Sequence, residues 1–318
     1  MERARKILQA EWAHDRNIKG KHVGIVCLDT GVAAKHPDFQ YVGKIVAFHD
    51  FVNQRVGCYD DNGHGTHVAG IASGRGTASG GKYCGIAPDS HLIVLKILDY
   101  KGGGNVEEVL RAVDWVIKNK TKYQIRVANI SIGTGKEEKI SEDSALVQGV
   151  DALWDAGVVV CAAAGNNGPR PQSIGAPGIS RKVITVGACD DNQAVMLNGK
   201  TMRNYSGRGP TDWCIKKPDL VVPGSNIVSC SHVWTGKNGM IGIMGNGEGR
   251  GYYTVKSGTS MATPMVSGAV ALLLGKYPEM SNREVKIRLK KSAIDLGLPH
   301  SVQGWGRLNV FRMLEKRK

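Results

Sequence analysis

The chain has 318 residues, 42% of them apolar and 22% charged, which is ordinary globular usage and excludes collagen, coiled coil and wholesale disorder. Glycine is the outlier, 42 residues or roughly twice the usual ~7%, spread without period as tight turns and close backbone approaches. The net charge is +14; the cations are scattered, densest in 283–318, and lack an aromatic-and-basic stripe, so they read as a solvated surface and not as a nucleic-acid site.

Residues 1–10 carry charges but no apolar core of a signal peptide, and 1–19 read as an N-terminal extension. Residues 23–28 form a continuous apolar run, a buried strand ending at Asp29. A second strand, 92–98, leads through Gly102-Gly103-Gly104 into a helix. Asn105 and Glu108 form its capping box, and Val106, Val109, Leu110, Val113, Val116 and Ile117 recur at helical spacing. A strand (127–132), a helix (144–156, stopped by Gly157) and a buried strand (158–164) follow. Beyond them come strands at 183–186 and 220–222, a hairpin at Asn198-Gly199 and a Gly-rich insert at 231–251. A small-residue helix runs to Leu274, and Ser281 with Glu284 caps another helix carrying Val285, Ile287 and Leu289. Strands alternating with helices predict an α/β fold with a mostly parallel sheet covered by helices on both faces. No composition break divides the chain, so 1–318 reads as one domain. The longest apolar stretch, 269–274, is far below the ~18 residues of a membrane span.

Seven cysteines without a CxxC pair speak against a disulfide framework and against a Cys-rich zinc module. Cys27 and Cys161 lie in apolar runs and are expected buried and inert; Cys58 and Cys84 flank the His64 segment in loops. Most thiols are expected reduced, which suits a cytoplasmic location; secretion after propeptide removal is the alternative.

Sites in open α/β sheets lie at the carboxyl ends of strands. Asp29 is the first polar residue after a buried strand. His64 sits among Gly63, Gly65, Ala69 and Gly70, where other groups can pack close to the imidazole; His67 suggests no metal pair without an HExxH pattern. Ser260, between Gly258-Thr259 and Met261-Ala262, opens a helix whose free N–H groups favour negative charge. Asn166 ends the strand at 158–164, where its amide can donate to an oxyanion. Singly, these are a turn residue, a structural His, an N-cap Ser and a turn Asn. Together they supply an orienting carboxylate, a general base, a nucleophile and an oxyanion donor.

Asp29-Thr30-Gly31, His64-Gly65-Thr66-His67-Val68-Ala69-Gly70, Ala163-Ala164-Gly165-Asn166 and Gly258-Thr259-Ser260-Met261-Ala262-Thr263-Pro264 resemble the four signatures of the subtilisin family of serine proteases, over residues 20–308. The Asp, His, Ser order is the one known for subtilisin itself. The resemblance implies a serine endopeptidase with Asp29, His64 and Ser260 as triad and Asn166 in the oxyanion hole. It implies that Gly102, Gly103 and Gly104 on one side, and Ser131, Ile132 and Gly133 on the other, pair with a peptide as an added strand. Such binding tolerates many sequences. Gly175 matches the base of the S1 pocket and predicts large apolar P1 residues, with Ile132, Val106 and Val109 lining S4. A catalytically silent binding module on the same fold is the alternative; the intact Asp29, His64 and Ser260 speak against it.

The sequence departs from the family in two places. Met265 replaces the usual His after Pro264. Asp38 matches a calcium-binding carboxylate of secreted subtilisins, but 74–81 carries no Asp, Glu or Asn, so no metal residue is assigned there. No cofactor is implied for the chemistry, and a structural calcium or sodium ion stays unassigned. The expected partners are protein or peptide substrates, with a propeptide outside this sequence, no nucleic acid and no membrane; the expected state is a monomer, of an intracellular branch of the family.

Overall fold

Short, almost wholly apolar runs build the central sheet of the computed structural model, which describes residues 1–133, 141–197, 199–233 and 251–315. In chain order the strands are β1 Gly24–Asp29, β2 Ile45–Asp50, β3 His91–Lys96, β4 Ile125–Ile130, β5 Val159–Ala163, β6 Ile184–Ala188, β7 Val195–Leu197, β8 Lys200–Met202, β9 Leu220–Val222, β10 Ile227–Cys230 and β11 Tyr253–Lys256. The helices are α1 Glu2–Leu8, α2 Glu11–Asp15, α3 His64–Ser73, α4 Val106–Asn119, α5 Ala145–Asp155, α6 Thr259–Lys276, α7 Asn282–Ser292, α8 His300–Gln303 and α9 Val310–Leu314. Seven strands form one sheet in the order β2-β3-β1-β4-β5-β6-β9 with every pairing parallel.

The chain leaves β1 for β3 on one side, then returns across it to β4 on the other. Right-handed crossovers therefore place α3 and α4 on opposite faces. α3 packs on α6 and both touch β1, while α4 pairs with α5. β1 is thus the switch point, where an open α/β sheet leaves a crevice at its carboxyl edge. Both expected capping boxes form, at Asn105 with Glu108 and at Ser281 with Glu284. Gly157, at φ 86°, ends the α5 turn.

Three features differ from the sequence reading. The extension 1–19 packs into the core: Ala4 and Leu8 of α1, Ala10 between the helices and Ala13 of α2 are buried. β2, which the sequence reading does not include, is an edge strand whose first five residues are partly or largely exposed, although Ile45-Val46-Ala47-Phe48 is an apolar run. The positive charge is not all on the surface. Lys44, Lys96 and Lys217 are buried, and their ammonium groups donate to backbone carbonyls of Pro88 and Ser90, of Thr30 and Leu98, and of Val183. β7 and β8 form the expected hairpin, with Gly199 in its turn at φ 73°; Asn198 lies outside the described residues, as do 234–250 of the Gly-rich insert.

Burial of these groups sets the pH range of the fold. Burial pushes Lys44 down to about 7; burial and the neighbouring Lys217 push Lys286 down to about 8. Between those values and the ordinary lysine range the unfolded chain holds more protons, so stability rises with pH. Burial pushes the Cys161 and Cys189 thiols up to about 12, so above ~8.5 only unfolded thiols ionise and stability falls again. Burial also holds His14, His67 and His91 low, so protonation of the unfolded chain destabilises the fold below ~6.5. The Tm of Ser260→Ala, used to prevent self-digestion, is therefore expected to peak at pH ~8–9. Lys44→Met should flatten the rise on its neutral side; an unchanged profile would refute the assignment.

Candidate active site

The carboxyl end of β1 carries Asp29, wholly buried, and the first residue of α3 is His64, a quarter exposed. His64 Nδ1 donates to Asp29 Oδ1 at 2.7 Å, which leaves Nε2 as the basic nitrogen facing outward. Asp29 Oδ1 also accepts from Thr30 N at 2.8 Å, while Oδ2 is buried without a protein partner. The contact requires α3 to start almost on top of the β1 turn. A Cβ at Gly65 would fall 2.3 Å from the Gly31 carbonyl oxygen and 3.1 Å from Asp29 Oδ1, so only glycine fits there.

Ser260 is the second residue of α6, after Gly258 at φ 131°. Its N–H belongs to the first turn and has no intrahelical acceptor. Asn166, just past β5, uses Oδ1 to accept from Thr259 N (3.0 Å) and Thr259 Oγ1 (3.1 Å). Its Nδ2 is thereby held at the Gly258 turn, where a Cβ on Gly258 would lie 3.2 Å from it. Two N–H donors, Asn166 Nδ2 and Ser260 N, thus flank the serine. Among the described residues no hydrogen bond joins His64 Nε2 to Ser260 Oγ; such bonds are often long without substrate. Pro264 cannot donate to the Ser260 carbonyl four residues back, and Ser131 Oγ donates to it instead, at 3.0 Å. Ser131 in turn accepts from Asn129 Nδ2, and Asn129 Oδ1 accepts from Ser267 Oγ of α6.

The expected substrate segments lie on either side. Ser131 is buried, and Ile132 and Gly133 become progressively more exposed beyond β4. A Cβ on Gly133 would be 3.8 Å from Gly165 Cα, and one on Gly165 3.4 Å from Gly175 N, so the three glycines bring their backbones close together. Gly175 is buried at its base, its N–H donating to the Ala164 carbonyl. Gly102, Gly103 and Gly104 are exposed, but Gly103 is already used: it donates to Asp99 Oδ1 and accepts from Asp99 N. Gly104 and the Gly102 carbonyl remain available to a peptide. Val106 is exposed and Ile132 half exposed, whereas Val109 is buried in the core and only underlies that end of the cleft.

Asp60 and Lys96 belong to this site although the sequence reading does not single them out, and Thr30 enters that reading only within the Asp29-Thr30-Gly31 signature. Asp60 accepts from Asn62 N, Gly63 N and Thr66 N around the start of α3. Burial pushes its carboxyl up, but the Thr66, Gly63 and Asn62 donors outweigh that and keep it below the usual range. An Asp two residues before Asn-Gly at a helix start is the signal that marks it. Lys96, paired with Asp29 in the β1–β3 ladder, reaches the Thr30 carbonyl and Asp61 Oδ1.

Asp38 and the loop after α3 were the place to seek calcium. Asp38 is buried and accepts from Gly76 N, Ala78 N and the Tyr253 hydroxyl, so its oxygens face donors. The loop carbonyls of Gly81, Lys82 and Cys84 face another cation: the Arg5 guanidinium donates to all three, at 3.4, 3.2 and 2.6 Å. These residues do not fit a calcium ion.

The subtilase family model matches residues 20–306. Serine protease AprX of Bacillus subtilis (strain 168) is 40% identical over 281 residues, 86% of this chain and 62% of that protein, so the chain spans less than two thirds of that relative. Subtilisin DY of Bacillus licheniformis is 33% identical over 96% of this chain and 95% of its own length. Among solved structures, sphericase superposes with a TM-score of 0.74 at 29% identity, and S41 psychrophilic protease with 0.73 at 30%, each covering 92% of both chains. Family model, relatives along the whole chain and shared fold agree: the chain belongs to the subtilase family and is a subtilisin-like serine endopeptidase.

Proposed function

We propose that the protein cleaves peptide bonds through an acyl-enzyme on Ser260. His64 takes the serine proton and delivers it to the leaving amine, and Asp29 holds the imidazole tautomer and stabilises the imidazolium. Asn166 Nδ2 and the Ser260 N–H stabilise the oxyanion. The observation that carries this reading is the 2.7 Å bond from His64 Nδ1 to the buried Asp29, beside a serine at a helix N-terminus. Ser260→Ala is expected to lose amide hydrolysis, and a phosphonylating reagent to label Ser260 alone. Asn166→Ala should lower kcat by ~10²–10³ at similar KM, a magnitude measured in subtilisin itself. Full activity in Ser260→Ala would end this assignment.

The substrates are proteins or peptides bound as an added strand between Gly104 and the segment Ser131–Ile132–Gly133, with an apolar preference at P1. The absence of side chains at Gly133, Gly165 and Gly175 supports an apolar P1 site without a charged floor. In a fluorogenic peptide panel, kcat/KM for P1 Phe or Leu should exceed that for P1 Asp or Lys; the reverse order would refute the pocket.

No metal takes part in the chemistry, and the α3 loop is held by Arg5 in place of a structural ion. The side chain of Arg5 is only 8% exposed and makes charge-assisted bonds to three carbonyls. EDTA should therefore leave Tm nearly unchanged, while Arg5→Met lowers it by roughly 5–10 °C. A comparable drop in EDTA, reversed by calcium, would refute this.

The location we propose is a reducing compartment, supported by seven unpaired cysteines, of which Cys58 and Cys214 are exposed. Among the described residues no helix is long and apolar enough to cross a membrane.

A further inference from the structure

Asp29 and His64 sit on two separate elements, β1 and α3, and something must fix one against the other. The helix alone does not: α3 opens at Gly63, φ 91°, with no side-chain cap from that residue. Asp60 lies in the loop before it and uses both carboxylate oxygens. Oδ1 accepts from Thr30 Oγ1 (2.9 Å), Asn62 N (3.1 Å) and Gly63 N (2.8 Å). Oδ2 accepts from Thr66 N (2.9 Å) and Thr66 Oγ1 (2.5 Å). The two hydroxyls extend the tie in both directions. Thr30 Oγ1 accepts from Gly65 N at 2.9 Å, and Thr66 Oγ1 accepts from Ala33 N at 3.0 Å. Strand end and helix start are therefore stitched twice, on either side of the Asp29–His64 contact, and one carboxylate is common to both stitches.

We propose that Asp60 is the positioning residue of the triad: it sets the His64 imidazole against Asp29 by binding the β1 end, through Thr30, and the first turn of α3, through Thr66, with one carboxylate. Only an ionised carboxylate serves, because all five groups around it donate. An amide in its place turns an N–H toward donors on one side and breaks one of the two stitches. A shift of the helix start by a fraction of an ångström then moves His64, while the peptide-binding segments, carried by the loops after β3 and β4, stay in place. The signature is a loss in kcat without a loss in KM.

The inference rests on the triad reading above, so Ser260→Ala is measured alongside. For Asp60→Asn we expect kcat to fall ~10- to 100-fold with KM within about twofold, counted per folded molecule. The far-downfield proton signal of His64 Nδ1–H, a mark of its short bond to Asp29, should broaden or shift. Thr66→Val keeps Asp60 and the bond from the residue 66 N–H to it, and removes the hydroxyl stitch, including the acceptor of the Ala33 N–H. It should show the same pattern at a smaller amplitude, and it carries the test where Asp60→Asn does not fold. An unchanged kcat and an unchanged Nδ1 signal in the folded variant, with Ser260→Ala inactive, would overturn the role of Asp60 alone. An active Ser260→Ala would instead overturn the triad reading beneath it.

Discussion

A carboxylate buried at the end of the central strand is the constraint around which the rest of this molecule is arranged. Asp29 is fully enclosed, and one of its oxygens has no protein partner, so its charge is held largely by the two donors on the other oxygen, Thr30 N and His64 Nδ1. Burying such a group is costly unless it is well bonded, and the neighbourhood reflects that cost. Gly31 and Gly65 strip side chains away so that helix and strand can meet. Lys96, from the adjacent strand, brings an ammonium to the Thr30 carbonyl. The position of β1 between β3 and β4 places this cluster where helices diverge to opposite faces, leaving room for a substrate.

The positive charge of the chain takes on a different meaning once the fold is known. Several of its cations are internal fasteners. Lys44, Lys96, Lys217 and Lys286 each present an ammonium to backbone carbonyls that no helix or sheet satisfies, and Arg5 does the same for a whole loop. A guanidinium suits that loop, because its forked donors reach several uncharged carbonyls at once, whereas calcium needs charged oxygens that 74–81 lacks. The N-terminal helices consequently belong to the catalytic domain through a polar contact as much as through Leu8 and Ala13.

The sequence made legible what depends on local pattern. The inner strands announce themselves as apolar runs because both faces are covered, and α4 and α7 through their capping boxes. Asp29 and Asn166 stand out as polar residues at the ends of apolar runs, His64 among small residues and Ser260 at a helix start, and the four signatures around them make the set legible together. What escaped depends on partners distant in sequence. β2 is a short apolar run, Ile45-Val46-Ala47-Phe48, whose place at the sheet edge depends on β3, distant in sequence. The contacts of Arg5 lie more than seventy residues away, so a basic residue there looks like any other surface charge. Asp60 stands in a run of Asp and Asn that reads as an ordinary turn until Thr30 is brought next to it. The use of Gly103 by Asp99 also needed coordinates, since three consecutive glycines look equally free.

Pro264 opens the helix that carries Ser260 to a tie from outside it. In an uninterrupted helix the carbonyl of the nucleophile would be locked into its own turn and insensitive to anything outside. Here the missing N–H hands that carbonyl to Ser131, which begins the extended segment beside the cleft. One bond therefore ties the start of that segment to the backbone of Ser260. Asn129 and Ser267 rivet it to the same helix. The start of the 131–133 segment and the helix that carries Ser260 are therefore joined twice, once at the nucleophile's own carbonyl and once, through Asn129, at Ser267 two turns further along.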